Sequence, residues 1–205
     1  MWAAAVILII SLVVGVALGV IVARRQGARQ AERKAARDAA IAGAEGPGRL
    51  RGIGVGDVIG LDGAMWTVEG SLRFDEDGFV WREHLLSEGG RRTWLSVEDD
   101  EDGLNVIRWD KVAEAGGLSP DGPEVTFEGV QYELEERGRA GYSATGTTGT
   151  PATGSMEYAD YRGPGERVLG FERYTREGSW ELSLGTPLEE GMLDVYPGGG
   201  PEPPR

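Results

Sequence analysis

The chain has 205 residues, no cysteine, one histidine and a formal net charge of −13. That composition excludes a disulfide scaffold, thiol catalysis and a tight transition-metal site, which needs thiolate or several imidazole ligands. The charge divides unevenly: residues 1–51 carry a net +5 and the remainder −18. So acidic a remainder repels nucleic acid and anionic lipid and favours cationic partners or plain solubility.

Residues 3–23 are an uncharged apolar run of 21 residues with Ser11 as its one polar side chain. As a helix it would extend roughly 30 Å, the thickness of a bilayer core. The expectation is a transmembrane helix over 1–23 and a single-pass protein of the plasma membrane. A cleaved secretory signal fits less well. Only Met1 and Trp2 precede the run, and Arg24 and Arg25 stand where a cleavage site would be. The basic residues follow the span, which places the N-terminus outside and residues 24–205 in the cytoplasm. Gly15 and Gly19 form a GxxxG, a candidate homodimer contact, although small residues are common in any such span.

Residues 24–42 read as a basic juxtamembrane helix. Arg25, Arg29, Arg33 and Arg37 recur every four positions and share one face, set either against lipid headgroups or in solvent. Residues 43–55, with five glycines and Pro47, read as a flexible linker. Residues 56–196 read as an acidic all-β domain. Short β-branched and aromatic runs occur at 57–61, 65–72, 79–86, 92–98, 104–109, 124–127, 131–136, 156–162, 168–174 and 180–184. Asp62-Gly63, Asp77-Gly78, Gly89-Gly90, Asp102-Gly103, Glu128-Gly129 and Glu177-Gly178 punctuate them. This cadence predicts a mainly antiparallel β-sandwich or barrel-like domain, with one helical turn at 110–115. Residues 145–154 read as a mobile loop and 197–205 as a disordered Pro/Gly tail.

The acidic-Gly-x-x-aromatic-x-aliphatic-Glu pattern of Asp62 to Glu69 recurs from Glu128 to Glu135. Such self-similarity points to two pseudo-repeated β-lobes, unless hairpins are merely alike because turns are. The segments Gly56-Asp57-Val58, Asp62 to Gly70, Trp81-Arg82-Glu83-His84-Leu85-Leu86 and Thr93 to Glu98 resemble the bacterial domain-of-unknown-function family DUF4178, over about residues 53–190. The resemblance implies no activity and no catalytic residues. Members of that family often stand beside membrane proteins and polyamine-synthase-like proteins.

Candidate chemistry is sparse. His84 is the one histidine and has no nucleophile elbow beside it, so a place on the outer face of a strand is expected and a catalytic role is not. Glu98, Asp100 and Asp102 match the first ligands of a calcium loop with Gly103 sixth, but the twelfth position is Trp109 rather than Glu. Asp99, Asp100 and Asp102 are therefore weak ligand candidates at a hairpin tip, and no metal or cofactor is expected. Trp66, Trp81, Trp94, Trp109 and Trp180 should mostly be core, with any outward-facing indole marking a binding face. Trp81, Glu83 and Trp94 are the interaction candidates.

The reading is a non-enzymatic, membrane-anchored module that binds or scaffolds another membrane-associated protein. The alternative is a sensor or binder of a small cationic ligand, either a polyamine or a divalent cation. Trp and Glu side chains gathered in a pocket would favour the second; the same residues on a flat strand edge would favour the first.

Overall fold

A computed structural model describes residues 50–100, 103–113, 117–174 and 178–198. The expected membrane span at 3–23, the helix at 24–42 and most of the linker and tail lie outside the described residues. Among the described residues no helix is long and apolar enough to cross a membrane.

The domain is mainly β and antiparallel. Its strands are β1 (Val58–Leu61), β2 (Ala64–Glu76), β3 (Phe79–Glu88), β4 (Arg91–Asp100), β5 (Gly103–Lys111) and β6 (Glu124–Phe127). They continue as β7 (Val130–Gly146), β8 (Thr153–Arg162), β9 (Val168–Arg173), β10 (Glu181–Leu188) and β11 (Asp194–Tyr196). Short 3-10 turns lie at Leu50–Gly52, Pro164–Glu166 and Glu190–Met192.

Hairpin chemistry sets the local order. At Asp62-Gly63, Asp77-Gly78, Gly89-Gly90 and Glu128-Gly129 both residues have positive φ. Such two-residue turns match the right-handed twist of the strands they join. The pairing order is β11-β1-β2-β3-β4-β5-β10-β9-β8-β7-β6, and β2 also pairs with β7. Thr67–Glu76 of β2 pairs β3, while Gly70 to Asp75 pairs β7 from Gly146 to Gly141. The ladder of hydrogen bonds therefore returns to its own starting strand. The strands β1–β5 and β6–β10 run in like order, and the two sets join through β2–β7 and β5–β10.

Alternate residues face opposite sides of this circuit. One apolar cluster lies on the outer side of the first set, around Ile59, Val68, Leu86 and Leu95, and a second lies around Tyr132, Tyr161, Leu169 and Phe171. Leu50 and Ile53, each 6% exposed, belong to the first cluster, so the domain begins before the expected end of the linker. Asp57 ties both ends of the domain, accepting hydrogen bonds from the backbone N–H groups of Gly54 and Gly198 at 2.8 Å. A third cluster, of Leu72, Phe74, Ala140, Tyr142 and Met156, packs on the inner side.

β7 runs well past the expected strand at 131–136, and the loop expected over 145–154 shrinks to residues 147–152. Strand propensity is low through Gly138, Ala140 and Gly141, but the inner side needs small residues at Gly138 and Ala140. A Cβ at Gly138 would lie 2.4 Å from Glu76 Oε1 and 2.7 Å from the Tyr158 hydroxyl. At 110–115, β5 instead continues to Lys111, and residues 114–116 lie outside the described residues. β11 is a strand the sequence pattern did not suggest.

Gly70 marks the closest backbone approach in the circuit. Its Cβ position is 2.4 Å from the Thr147 carbonyl oxygen, so alanine there must push backbone apart. Gly70→Ala is expected to cost roughly 2 kcal/mol, lowering the midpoint of a circular-dichroism melt by about 4–8 °C.

Candidate functional site

The inner side of the circuit is half packed and half open. Phe74 stacks on Trp81 with ring centroids 4.9 Å apart, and Tyr158 meets the edge of Trp81 at 5.7 Å. Beyond that aromatic plug lies a cavity of about 460 Å³. That volume falls within the range of small-molecule sites, roughly 300–1,000 Å³.

Strand alternation supplies its walls. From β3 come Trp81 and Glu83, from β4 Trp94, Ser96 and Glu98, and from β5 Asn105, Ile107, Trp109 and Lys111. Glu135 and Glu136 of β7, Tyr158, Asp160 and Arg162 of β8, and Gly170 and Glu172 of β9 line it from the other side. Cross-strand register aligns them: Trp94 pairs Trp109, Glu83 pairs Ser96, and Asp160 pairs Gly170. At one end Lys111, Glu135, Glu136 and Arg162 are exposed, so the rim is charged.

Three of these carboxylates sit in surroundings hostile to charge. Glu83 is 8% exposed and accepts a hydrogen bond from the Trp81 indole N–H at 3.2 Å. Burial, reinforced by the charge of Glu172, pushes its carboxyl well above the usual carboxylate range, against the pull of the Trp81 bond and Lys111. Asp160 is raised well above its usual value by burial first, then by Glu172, Glu136 and Glu98. Glu172 is raised by burial, although hydrogen bonds from the Tyr174 hydroxyl, at 3.1 Å, and with Glu83 oppose the shift, as does Lys111. Burial also raises the Tyr158 hydroxyl, which donates to Glu76 Oε2 at 2.6 Å.

The aromatic part is held rigidly. The Trp109 indole N–H donates to Ser96 Oγ at 2.9 Å. Its ring rests on two glycines: Cβ positions at Gly170 and Gly185 would lie 2.8 Å and 2.7 Å from Trp109 Cζ3. Only bare backbone on β9 and β10 lets the indole lie there. Chemically, the cavity offers carboxylates and π-faces to one guest, a combination suited to an organic cation.

A family model described as "Domain of unknown function (DUF4178)" matches residues 54–190. The chain belongs to the DUF4178 family. Among its relatives are an uncharacterized protein of Mycobacterium bovis and two of Mycobacterium tuberculosis. Each is 41% identical over 152 residues, covering 72% of this chain and 73% of the relative. No solved structure matches this DUF4178 chain.

Of the residues singled out by sequence, Trp81, Glu83 and Trp94 come together on the cavity wall rather than on an open strand face. Asp99 points elsewhere and is bound by Arg51, 2.7 Å away. Asp102 and the side chain of Asp100 lie outside the described residues. Among the described residues no three His, Cys, Asp or Glu side chains converge as metal ligands. Of the five tryptophans in the β-domain, Trp66 is buried in the first apolar cluster and Trp180 packs under the Arg173 guanidinium, which lies 4.5 Å from the ring centroid. Asp160, Glu172, Tyr158 and Trp109 were not singled out as site residues. Their signal was there as a period-two line of polar and aromatic residues on strands whose other face is apolar.

His84 departs from the expected exposed strand face. It sits on the side opposite the cavity and is fully buried, with Nδ1 2.8 Å from Ser71 Oγ and Nε2 without a partner among the described residues. Burial, then the Arg82 charge, lower its pKa from 6.5 to about 4. Between those values the unfolded chain holds a proton that the folded chain refuses. Stability therefore falls as pH drops from 6.5 towards 4, by on the order of 3 kcal/mol from this group. Urea titrations across that window should show a shallower pH slope for His84→Gln than for the unaltered chain.

Proposed function

We propose that this DUF4178 chain is a membrane-anchored binding module whose β-domain takes a small organic cation into its cavity. The observation that carries the reading is the meeting of Glu83, Asp160 and Glu172 with Trp81, Trp94 and Trp109 around one space. Carboxylates whose titration is pushed upward by burial and by one another are good hosts for a cation, which favours their charged forms and relieves the repulsion. An ammonium or guanidinium group also gains from the indole faces, by roughly 0.5–2 kcal/mol each. The divalent-cation alternative lacks converging ligands among the described residues, so the amine side of that alternative is preferred.

In its finer form the sheet reads as a closed barrel of two like halves. A ring of eight strands is just wide enough to be filled by side chains or to hold one small ligand. The anchor at 3–23 would hold this domain at the cytoplasmic face, with pairing of spans through Gly15 and Gly19. A protein partner is the second reading, favoured by Met65 and Tyr196, 52% and 49% exposed where β1 joins β2 and β11.

Full-length protein in detergent, titrated at fixed ionic strength, tests the ligand. Spermidine at a hundredfold excess over its Kd should stabilise the fold by about 2.7 kcal/mol, whereas calcium gives only screening. Binding should weaken as pH falls through the raised titration range of the three carboxylates, because protonation competes with the cation. Glu83→Gln should raise the melting temperature of the unliganded protein at neutral pH by a few degrees, since it removes the cost of burying an ionisable carboxyl, and should weaken spermidine binding. A melting curve that spermidine leaves unmoved beyond matched salt would overturn the reading. For the anchor, a reporter fused after Arg205 should be active in the cytoplasm and silent outside it.

A further inference from the structure

Asp160 differs from the other acids of the inner wall. Glu83 is bonded by Trp81 and Glu172 by Tyr174, yet among the described residues no hydrogen bond or ion pair reaches Asp160. Its position is shared with an indole. Asp160 Oδ1 is 3.3 Å, and Trp109 Cη2 3.2 Å, from the point that a Gly170 Cβ would occupy. The carboxylate and the ring edge are therefore immediate neighbours on the cavity wall.

Both partners are fixed before any ligand arrives. Ser96 holds the Trp109 ring by its N–H, and Gly170 and Gly185 leave it room against the sheet. Asp160 is set by strand pairing opposite Gly170. A carboxylate with free lone pairs beside a pinned π-face offers two things at once: acceptors for N–H donors and a surface for the adjoining carbon chain. The charged neighbours facing this spot are Glu172 on β9, Glu98 on β4 and Glu136 on β7. Glu135 on β7 adds to them. The two cations of the lining, Lys111 and Arg162, lie at the exposed rim and are ion-paired with Glu181 and Glu135.

We infer that Trp109 and Asp160 form the seat for a primary ammonium group on an alkyl chain, and that this seat selects N–H-bearing cations over quaternary ones. The inference rests on the cation-binding reading and names where and how the head group is held. The hydrogen-bonded pair of Glu83 on β3 and Glu172 on β9 supplies a second anionic point in the same cavity, so a ligand with two separated ammonium groups fits better than one with a single group. A quaternary head could still lie on the indole but would leave the Asp160 oxygens unpaired, which is the costly outcome for a buried acceptor.

The test compares 1,6-diaminohexane with its bis-trimethylammonium analogue, which has the same carbon chain, by calorimetric titration of the full-length protein at fixed ionic strength. The diamine should bind at least tenfold tighter. Asp160→Asn should weaken diamine binding at least tenfold. Gly185→Ala, which lifts the indole without removing a functional group, should weaken it about fivefold. Glu189→Gln, exposed and remote from the cavity, should leave it unchanged. Equal binding of the two compounds, or wild-type affinity in both Asp160→Asn and Gly185→Ala, overturns the seat while leaving the cavity reading intact. Binding of spermidine with none of either six-carbon probe also overturns the seat. Failure of spermidine itself overturns the cavity reading and the seat with it. The comparison between the two compounds needs no variant, so a variant that does not fold leaves the inference open to refutation.

Discussion

The pairing of β2 with both β3 and β7 is the constraint on which the rest depends. Without it the strands form a row with two faces, and each face meets either core or solvent. With it, one face looks inward at itself, and residues far apart in sequence must share a small volume. Trp81 and Tyr158, or Glu83 and Glu172, are neighbours only because the row returns to its start. The bare backbone of Gly138 and Gly146 in β7, and of Gly70 against Thr147, is what allows that return at close quarters.

The inward face is used in two ways. Phe74, Tyr142, Met156 and Leu72 fill one part with apolar and aromatic bulk, whose burial is a normal source of stability. The other part is left open and lined with carboxylates whose titration is displaced upward by their burial. Gathering acids in a partly desolvated space opposes folding, and the apolar clusters on the outer side must offset that cost. A chain selected for stability alone would place aliphatic side chains at Glu83 and Asp160. That mismatch between packing and polarity is the physical ground for reading the open part as a site. His84, buried on the opposite side with a nitrogen that has no partner among the described residues, is a separate strain on the fold, felt on the acid side of neutrality.

Local signals were legible where the physics is local. A turn such as Asp77-Gly78 declares itself because two successive positive φ values suit few residue pairs. Strands rich in Val, Leu and Trp were readable for the same reason, and the recurring pattern at Asp62 and Glu128 matches two equivalent hairpins, β1–β2 and β6–β7. β7 was half missed because glycine and alanine argue against a strand when the neighbours that require them are unknown. Trp81, Glu83 and Trp94 could be picked out as unusual, but whether they faced a partner, a ligand or the core could not.

By itself, then, the sequence determined the class of fold, the hairpin order, the family and the acidic character of the domain, all of which follow from near-neighbour chemistry and composition. It also determined that no cysteine or histidine cluster could carry catalysis or metal binding. Only the tertiary structure decided which carboxylates line the cavity, that Asp99 is spent on Arg51 while Asp160 has no partner among the described residues, and that Trp109 lies on two glycines beside it. Those facts depend on register between strands separated by tens of residues. Register across a closed circuit is settled by all the pairings together, and no single segment encodes it.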